Sequence, residues 1–335
     1  SQELEAGGLL GNAWYWLDLS IRLNGGDRES QQRLQTLKDR LRQRVVKKIA
    51  IMDFSPPTNS TDAGKLVTDS LLSYMTRNAS SDVKILARDV LGAIIKEIEF
   101  GQAGLYDIES AKKTGKLKGT DIFIFGSVLQ YNVEKSAEEG SKMVNVVVAT
   151  KQVPNPAYQS WLLSHPAPSE KEMALAPPAL MKEEIRETIK YKVGTHKKTA
   201  NVALSFRVID VESGEVVIAT TIRSRKEAED KFSEGVEFAS IPFDPMELPS
   251  DAVLLEKAVD EGIAELGRLV LTRFQNRQAS YLQAAELLSK KGGGDQVVER
   301  YMDAIVSEEV KHVASQVTAQ AKTGIEQYLQ AAERP

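Results

Sequence analysis

The sequence predicts an α/β protein built on a mixed sheet covered by helices, with a long inserted β-hairpin or loop and a C-terminal helical extension. Residues 48–54 and 121–131 are apolar stretches typical of interior strands. Residues 201–223 alternate as a hairpin with one buried side, and helical periodicity recurs between and after these strands. Strands and helices in this order indicate a mixed sheet with helices packed on it.

Composition excludes several classes of site. The 335 residues can hold one large domain with appendages or two domains. A net charge of -4 argues against broad nucleic-acid binding, which needs a basic footprint. The absence of cysteine excludes disulfides, thiolate nucleophiles and zinc–thiolate sites. No apolar run approaches the roughly 20 residues of a membrane helix. We see no signal peptide, and a start at Ser1 is compatible with processing.

The join between the first strand and the following helix was considered as a nucleotide-binding site. After the strand at 48–54, a helix is marked by Leu66, Val67, Leu71, Tyr74 and Met75. Gly64 and Lys65 near the join could belong to a phosphate-binding loop. The glycines that such a loop needs before the lysine are missing, and Pro56 and Pro57 offer no amide donors. We therefore expect no nucleotide site.

The next elements complete the sheet. Residues 83–87 predict a short strand, and helices are expected from Asp89 and over 107–118. The strand at 121–131 contains Gly126, which suggests a bulge or a close approach of another group. The hairpin that follows is expected to bury the alternating residues Val202, Leu204, Phe206, Val208, Val216, Ile218 and Ile222. Its turn, at 212–215, contains Gly214, which is free to adopt positive φ.

Residues from about 132 to 200 form an insertion that we expect to be an interaction arm. Residues 143–153 alternate as a strand, and 188–193 could pair with them. Between them, prolines forbid continuous regular structure: Pro154, Pro156, Pro166, Pro168, Pro177 and Pro178. A local apolar anchor is expected from Tyr158, Trp161, Leu162 and Leu163. Insertions this long inside compact domains are usually functional.

The terminal segments flank a central domain at 48–274. In the first segment, 1–47, an aromatic cluster could dock on the body or contact a neighbouring subunit. A long helix is predicted over 251–274. The C-terminal segment, 275–335, is helical, and either packs on the body or reaches a neighbour.

No catalytic, cofactor or metal site can be assembled from the motifs. His165, His196 and His312 are far apart and lack metal-ligand spacing, so we expect structural or surface roles for them. No nucleophile-elbow pattern occurs. Asp53 follows the first strand, where α/β enzymes often place acids, but alone it is better explained as a turn or cap residue. The sequence therefore predicts a protein that is not an enzyme.

Five stretches, in order, carry a family resemblance. They are Lys-Ile-Ala-Ile-Met-Asp-Phe at 48–54, the helix with Leu71 and Leu72, Ile-Leu-Ala-Arg at 85–88, Gly-Thr-Asp-Ile-Phe-Ile-Phe-Gly-Ser-Val at 119–128, and Val-Ala-Leu-Ser-Phe-Arg-Val-Ile-Asp-Val-Glu-Ser-Gly-Glu-Val-Val at 202–217. In this order they resemble the curli-secretion channel family (CsgG-like proteins). The resemblance implies a periplasm-facing α/β domain that assembles into a ring.

Members of the pore-forming branch are lipid-anchored at an N-terminal cysteine and add strand pairs to a shared outer-membrane pore that exports fibre subunits. One such pair would fall in the insertion, and the other would follow Ile222. The charges between Arg225 and Lys231 make the second a poor lipid-facing strand, and the chain has no anchoring cysteine. The resemblance thus favours the ring-forming domain over the pore.

We expect a non-catalytic, self-associating protein of the bacterial envelope, in the periplasm or associated with the outer membrane. It would serve secretion or surface-structure assembly, as a homo-oligomer with a secreted or fibre-forming protein partner and without cofactors or nucleic acid. The alternatives are a membrane-spanning export pore subunit of the same family and a soluble periplasmic ligand-binding or enzymatic domain. The candidate interface residues are Trp14, Tyr15, Trp16, Val144, Val146, Val148, Tyr158, Trp161, Tyr301 and Tyr328.

Overall fold

The structure is a computed structural model that describes residues 2–86, 119–313 and 315–332. The helices, in chain order, are α1 (Gln2–Ala6), α2 (Leu10–Asn24), α3 (Arg28–Val45), α4 (Ala63–Asn78), α5 (Pro156–Ser164), α6 (Glu170–Met173), α7 (Asp251–Phe274), α8 (Arg277–Lys290), α9 (Gln296–Lys311) and α10 (Val317–Ala332). The strands are β1 (Lys47–Ile51), β2 (Val83–Ile85), β3 (Ile122–Pro154), β4 (Leu180–Asp210) and β5 (Val216–Ser233). The predicted α/β class is confirmed. The helices expected from Asp89 and over 107–118 lie outside the described residues.

The five strands form one mixed sheet in the order β2-β1-β3-β4-β5. β1 runs parallel to both neighbours, with Ile49 opposite Ile85 in β2 and Ile122 in β3. β3 and β4 run antiparallel, because hydrogen bonds join Val211 N to Asp121 O at 2.9 Å and Asn155 N to Ala179 O at 3.0 Å. The chain divides into two compact units: the first takes residues up to 131, 202–224 and 257 onward, and the second takes 132–201 and 225–256.

The hairpin at 201–223 forms as predicted, but its burial differs in part. Val202, Leu204, Phe206 and Val208 are buried, and Gly214 has φ of 74° in the turn. The expectation of a single buried side is wrong for β4. Ile209 on its other face, and Val211 just after the strand, belong to a second core cluster with Ala50, Met52, Phe123 and Phe125. Val216, placed on the buried face by its pattern, is 43% exposed.

Gly64 and Gly126 allow close packing around Phe54, at the join between β1 and α4 that was considered for phosphate binding. Thr68 Oγ1 accepts a hydrogen bond from Phe54 N at 3.0 Å and donates one to Gly64 O at 2.8 Å. A Cβ on Gly64 would lie 2.1 Å from the Phe54 carbonyl oxygen, and one on Gly126 would lie 2.1 Å from Cε1 of the Phe54 ring. Gly64 is therefore a packing requirement, and the close approach expected at Gly126 is confirmed. Leu66, expected on the packed face of α4, is 51% exposed.

Gly64→Ala tests this packing. The added methyl has no room beside a backbone oxygen, so we expect the free energy of unfolding to fall by about 1–3 kcal/mol in guanidinium titrations. Gly140→Ala is the control, because nothing lies within 4 Å of a Cβ there. We expect that control to stay within about 0.5 kcal/mol of the parent. Equal effects of the two changes would contradict the packing role of Gly64.

The N- and C-terminal helices pack together in the first unit. Leu41 and Val45 of α3 share a buried cluster with α8, α9 and α10, and Tyr301 lies inside it with 4% of its surface exposed. Of the two arrangements considered for the C-terminal segment, the structure shows packing on the body.

A buried ionic network joins α3 to α9. Arg44 contacts Glu299 Oε2 at 2.6 Å and Asp303 Oδ1 at 2.5 Å, and Asn12 N donates to Glu299 Oε1 at 2.8 Å. Burial raises the pKa of Asp303, and Arg44 opposes that shift. Burial alone would lower the pKa of Arg44, but the two carboxylates raise it. Each buried charge here depends on its partners.

Removing Arg44 should therefore be costly. Arg44→Ala leaves two buried carboxylates without their cation, and we expect it to lower the free energy of unfolding by about 3 kcal/mol. Arg40→Ala removes an exposed pair with Glu5 and should cost less than about 1 kcal/mol. Denaturant unfolding of both variants measures the difference, and an Arg44→Ala loss no larger than that of Arg40→Ala would refute the network's role.

Candidate functional site

The candidate site is the part of β3 and β4 that lies in the second unit, which we call the arm. β3 has 33 residues and β4 has 31, whereas β1 has five and β5 has 18. The short strands can pair with only part of the outer edges of the long ones. The remaining edge residues of the arm present backbone N–H and C=O groups without a strand partner among the described residues.

The arm is longer than the sequence indicated. Residues 132–142, expected to separate two strands, belong to β3, and 194–200 belong to β4. Their side chains are mostly polar, so no apolar alternation marks them, yet the hydrogen-bonded ladder forms between them. The predicted pairing of 188–193 with 143–153 is confirmed only for the start of the latter: Thr188 Oγ1 donates to Asn145 Oδ1 at 2.6 Å. Lys151 instead pairs with Glu183, at 2.9 Å.

One face of the arm carries an apolar row. Because Thr188 and Asn145 share a face, the residues on either side of each point to the opposite one. That opposite face holds Val144, Val146 and Val148 of β3. It also holds apolar residues of β4, namely Ile185, Ile189, Tyr191 and Val193. Val146 is buried at 3% exposure, Val144 and Val148 are half-buried, and Ile185 is 39% exposed.

Charged pairs join β3 and β4 to each other and to Asp251, the first residue of α7. Asp251 contacts Lys135 Nζ at 2.6 Å and Lys198 Nζ at 2.9 Å, and hydrogen bonds from these lysines lower the pKa of Asp251. Glu139 contacts His196 Nε2 at 2.9 Å, and the His196 ring meets the Phe232 ring edge-on at 5.7 Å. These contacts hold β3, β4 and β5 in one register.

The far end of the arm, which we call the tip, comprises residues 154–181. α5 stacks Tyr158 on Trp161 at 6.3 Å and Trp161 on His165 at 4.6 Å. Of the expected local anchor, Tyr158 and Trp161 stack within α5, whereas Leu162 and Leu163 are exposed. Large apolar side chains around it remain exposed: Leu162, Leu163, Met173, Leu175, Leu180 and Met181.

The terminal candidates lie in the first unit. Trp14 and Tyr15 are half-buried against the helical cluster, as is Tyr328, while Tyr301 is inside it. Trp16 is 37% exposed. The structure thus groups Trp14, Tyr15, Tyr301 and Tyr328 in one cluster of their own chain. A role for any of the ten candidates at an interface between copies stays a prediction.

The histidines have separate surroundings. His165 stacks on Trp161, His196 pairs with Glu139, and His312 ends α9 with φ of 54°. Within the described ranges, no group of three or more His, Asp or Glu side chains could hold a metal ion. Nor is any described helix long and apolar enough to cross a bilayer.

Sequence reasoning counted Leu162 and Leu163 in a local anchor and missed Leu175, so it did not predict that the tip exposes apolar side chains. Leu163 and Leu175 are 85% and 83% exposed. A signal was present: no residue from 152 to 169 is Asp, Glu, Lys or Arg, whereas 27% of the whole chain is charged.

The model of the family described as "Curli production assembly/transport component CsgG" matches residues 43–297. Among solved structures, the PelC dodecamer from Paraburkholderia phytofirmans is similar at 9% identity and a TM-score of 0.28, over 67% of this chain and 89% of that one. The hypothetical protein CT253 from Chlamydia trachomatis is similar at 8% identity and a TM-score of 0.27, over 66% and 96%. Values this low support neither a shared assembly nor a shared partner. The comparison with curated proteins found no match.

Proposed function

Because the chain belongs to the CsgG family of curli production assembly and transport components, we propose that it is a self-associating, non-catalytic protein of the bacterial envelope. It acts in secretion or surface-structure assembly, in the periplasm and associated with the outer membrane. Its macromolecular partner is a secreted or fibre-forming protein. The family assignment supports the envelope role, and the arm supports self-association.

One observation carries the self-association: the outer edges of β3 and β4 extend beyond the strands that could pair with them. Long uncovered edges are templates for pairing with another chain, and proteins ordinarily cover, twist or shorten them. Copies arranged side by side would pair an edge of one arm with an edge of the next. That pairing uses backbone groups and needs no ligand or cofactor.

The apolar row of the arm gives the same association a second source of free energy. Val144 and Val148 are half-buried in the single chain, so neighbouring arms could still bury part of their surface. Buried apolar surface contributes about 25 cal/mol per Å², and a ring repeats this gain at every interface. On the opposite face of β3, Met143 and Val147 are exposed, and β4 contributes Arg186, Lys190 and Lys192 to that face.

Sedimentation velocity of the full chain over a wide concentration range tests the proposal. We expect assemblies larger than the monomer. Lysine at both positions, Val144→Lys with Val148→Lys, should weaken association at least about tenfold, because two charges would enter the apolar interface. Met143→Lys is the matched control, since Met143 is 70% exposed on the opposite face. A monomer at every concentration, with and without detergent or lipid, would contradict the proposal.

The second candidate is a membrane-spanning export pore subunit of the same family, and the apolar row of the arm is the observation that favours it. The two candidates differ in solubility: a spanning arm makes the assembly depend on detergent, whereas a ring outside the bilayer stays assembled without it. A soluble ligand-binding domain would instead show thermal shifts across a panel of metabolites. The same preparation of the full chain serves all three measurements.

A further inference from the structure

The tip exposes more apolar surface than any role within its own chain explains. Leu163 and Leu175 expose more than four fifths of their surface, and Leu180, Met181 and Met173 expose close to half. These residues come from α5, from the region around α6 and from the start of β4. The apolar side chains thus come from several elements rather than from one flat row.

Charge is nearly absent from the same segment. Between residues 152 and 181 only Glu170, Lys171 and Glu172 are charged, and the charged residues resume at Lys182 and Glu183. Glu172 is committed to capping α6: it accepts hydrogen bonds from Ser169 N and Oγ, each at 2.8 Å. A protein partner selected by charge would find little to pair with here.

Several backbone N–H groups of the tip are either hydrogen-bonded within the tip or absent, which lowers the cost of transfer out of water. Asn155 N donates to Ala179 O at 3.0 Å, Asn155 Nδ2 donates to Pro178 O at 2.8 Å, and His165 N donates to Trp161 O at 3.0 Å. Six positions carry no N–H at all, because they are proline: Pro154, Pro156, Pro166, Pro168, Pro177 and Pro178. In lipid every unpaired backbone donor is costly, so internal bonding and missing donors both lower the cost of insertion.

From these observations we propose that the tip, residues 154–181, inserts shallowly into a lipid bilayer at the boundary of headgroups and acyl chains. Separately projecting leucines suit a fluid medium, which needs no complementary shape, better than the packed core of a protein interface. The stacked Tyr158 and Trp161 match the preference of amphipathic rings for that boundary. The proposal rests on the proposed function, whose membrane association it assigns to this segment.

Because the chain has no cysteine, single cysteines can be labelled without other changes. Leu163→Cys and Leu175→Cys, carrying a polarity-sensitive fluorophore, report on the tip of the full chain. Leu23→Cys is the control, since Leu23 is 73% exposed on α2. With phosphatidylcholine vesicles we expect a blue shift and protection from iodide quenching at both tip positions and none at Leu23. We expect no dependence on salt, because the attraction is apolar.

A second experiment separates this proposal from the proposed function. The double variant Leu163→Asp with Leu175→Asp should float with vesicles at least about tenfold less than the parent, since two buried apolar groups become charges. Leu23→Asp should float like the parent. The sedimentation profile of the double variant should not change, so lost vesicle binding with intact assembly supports the tip proposal alone.

Three outcomes would overturn it. Tip probes that stay in a polar environment when vesicles are added would show that no insertion occurs. A blue shift without vesicles that grows with protein concentration would show that the tip docks on a second copy. Vesicle-bound protein with water-exposed probes at Leu163 and Leu175 would place the membrane contact elsewhere in the chain.

Discussion

Backbone hydrogen bonding on strands of unequal length is the constraint from which the other features follow. β3 and β4 have 33 and 31 residues, but their outer neighbours, β1 and β5, have five and 18. In the first unit, both faces of β4 bury apolar side chains, with Leu204 and Phe206 on one face and Ile209 on the other. In the second unit β5 follows β4 as far as Lys192, where Glu234 N donates to Lys192 O at 3.0 Å. Beyond that point β3 and β4 pair with each other, and the outer edge of β3 and the far part of β4 remain available to another chain.

The two units meet different requirements. In the first, close contacts of Gly64 and Gly126 with Phe54 and the ionic network around Arg44 leave little freedom for rearrangement. In the second, the charged pair His196–Glu139 joins β4 to β3, and Lys135 of β3 pairs with Asp251 at the start of α7; these pairs keep a mostly polar ribbon in register.

Elements that bury apolar residues were predicted from the sequence. Strand segments whose side chains are mostly polar were not, because they carry no apolar alternation. β1, α4, the hairpin turn at Gly214 and the bounds of α7 follow from periodicity and capping. The continuity of β3 through residues 132–142 could not be read, because Glu134, Lys135, Glu138 and Glu139 resemble a loop in composition. Only pairing with β4 makes them a strand. Of the site, the apolar row at Val144, Val146 and Val148 was predicted from alternation. The exposure of Leu163 and Leu175 in the tip was not, because it depends on tertiary packing, which a sequence pattern does not give.

Amide hydrogen exchange on β3 tests the central claim most directly. In a two-stranded ribbon, alternate amides point to the partner strand, and the others point outward. If arms pair edge to edge, the outward amides of residues 132–150 should exchange slowly at concentrations where sedimentation shows assembly, and quickly where it shows monomer. Outward amides that exchange as fast as those of the exposed turn residues Thr58 and Asn59 under both conditions would contradict pairing between copies.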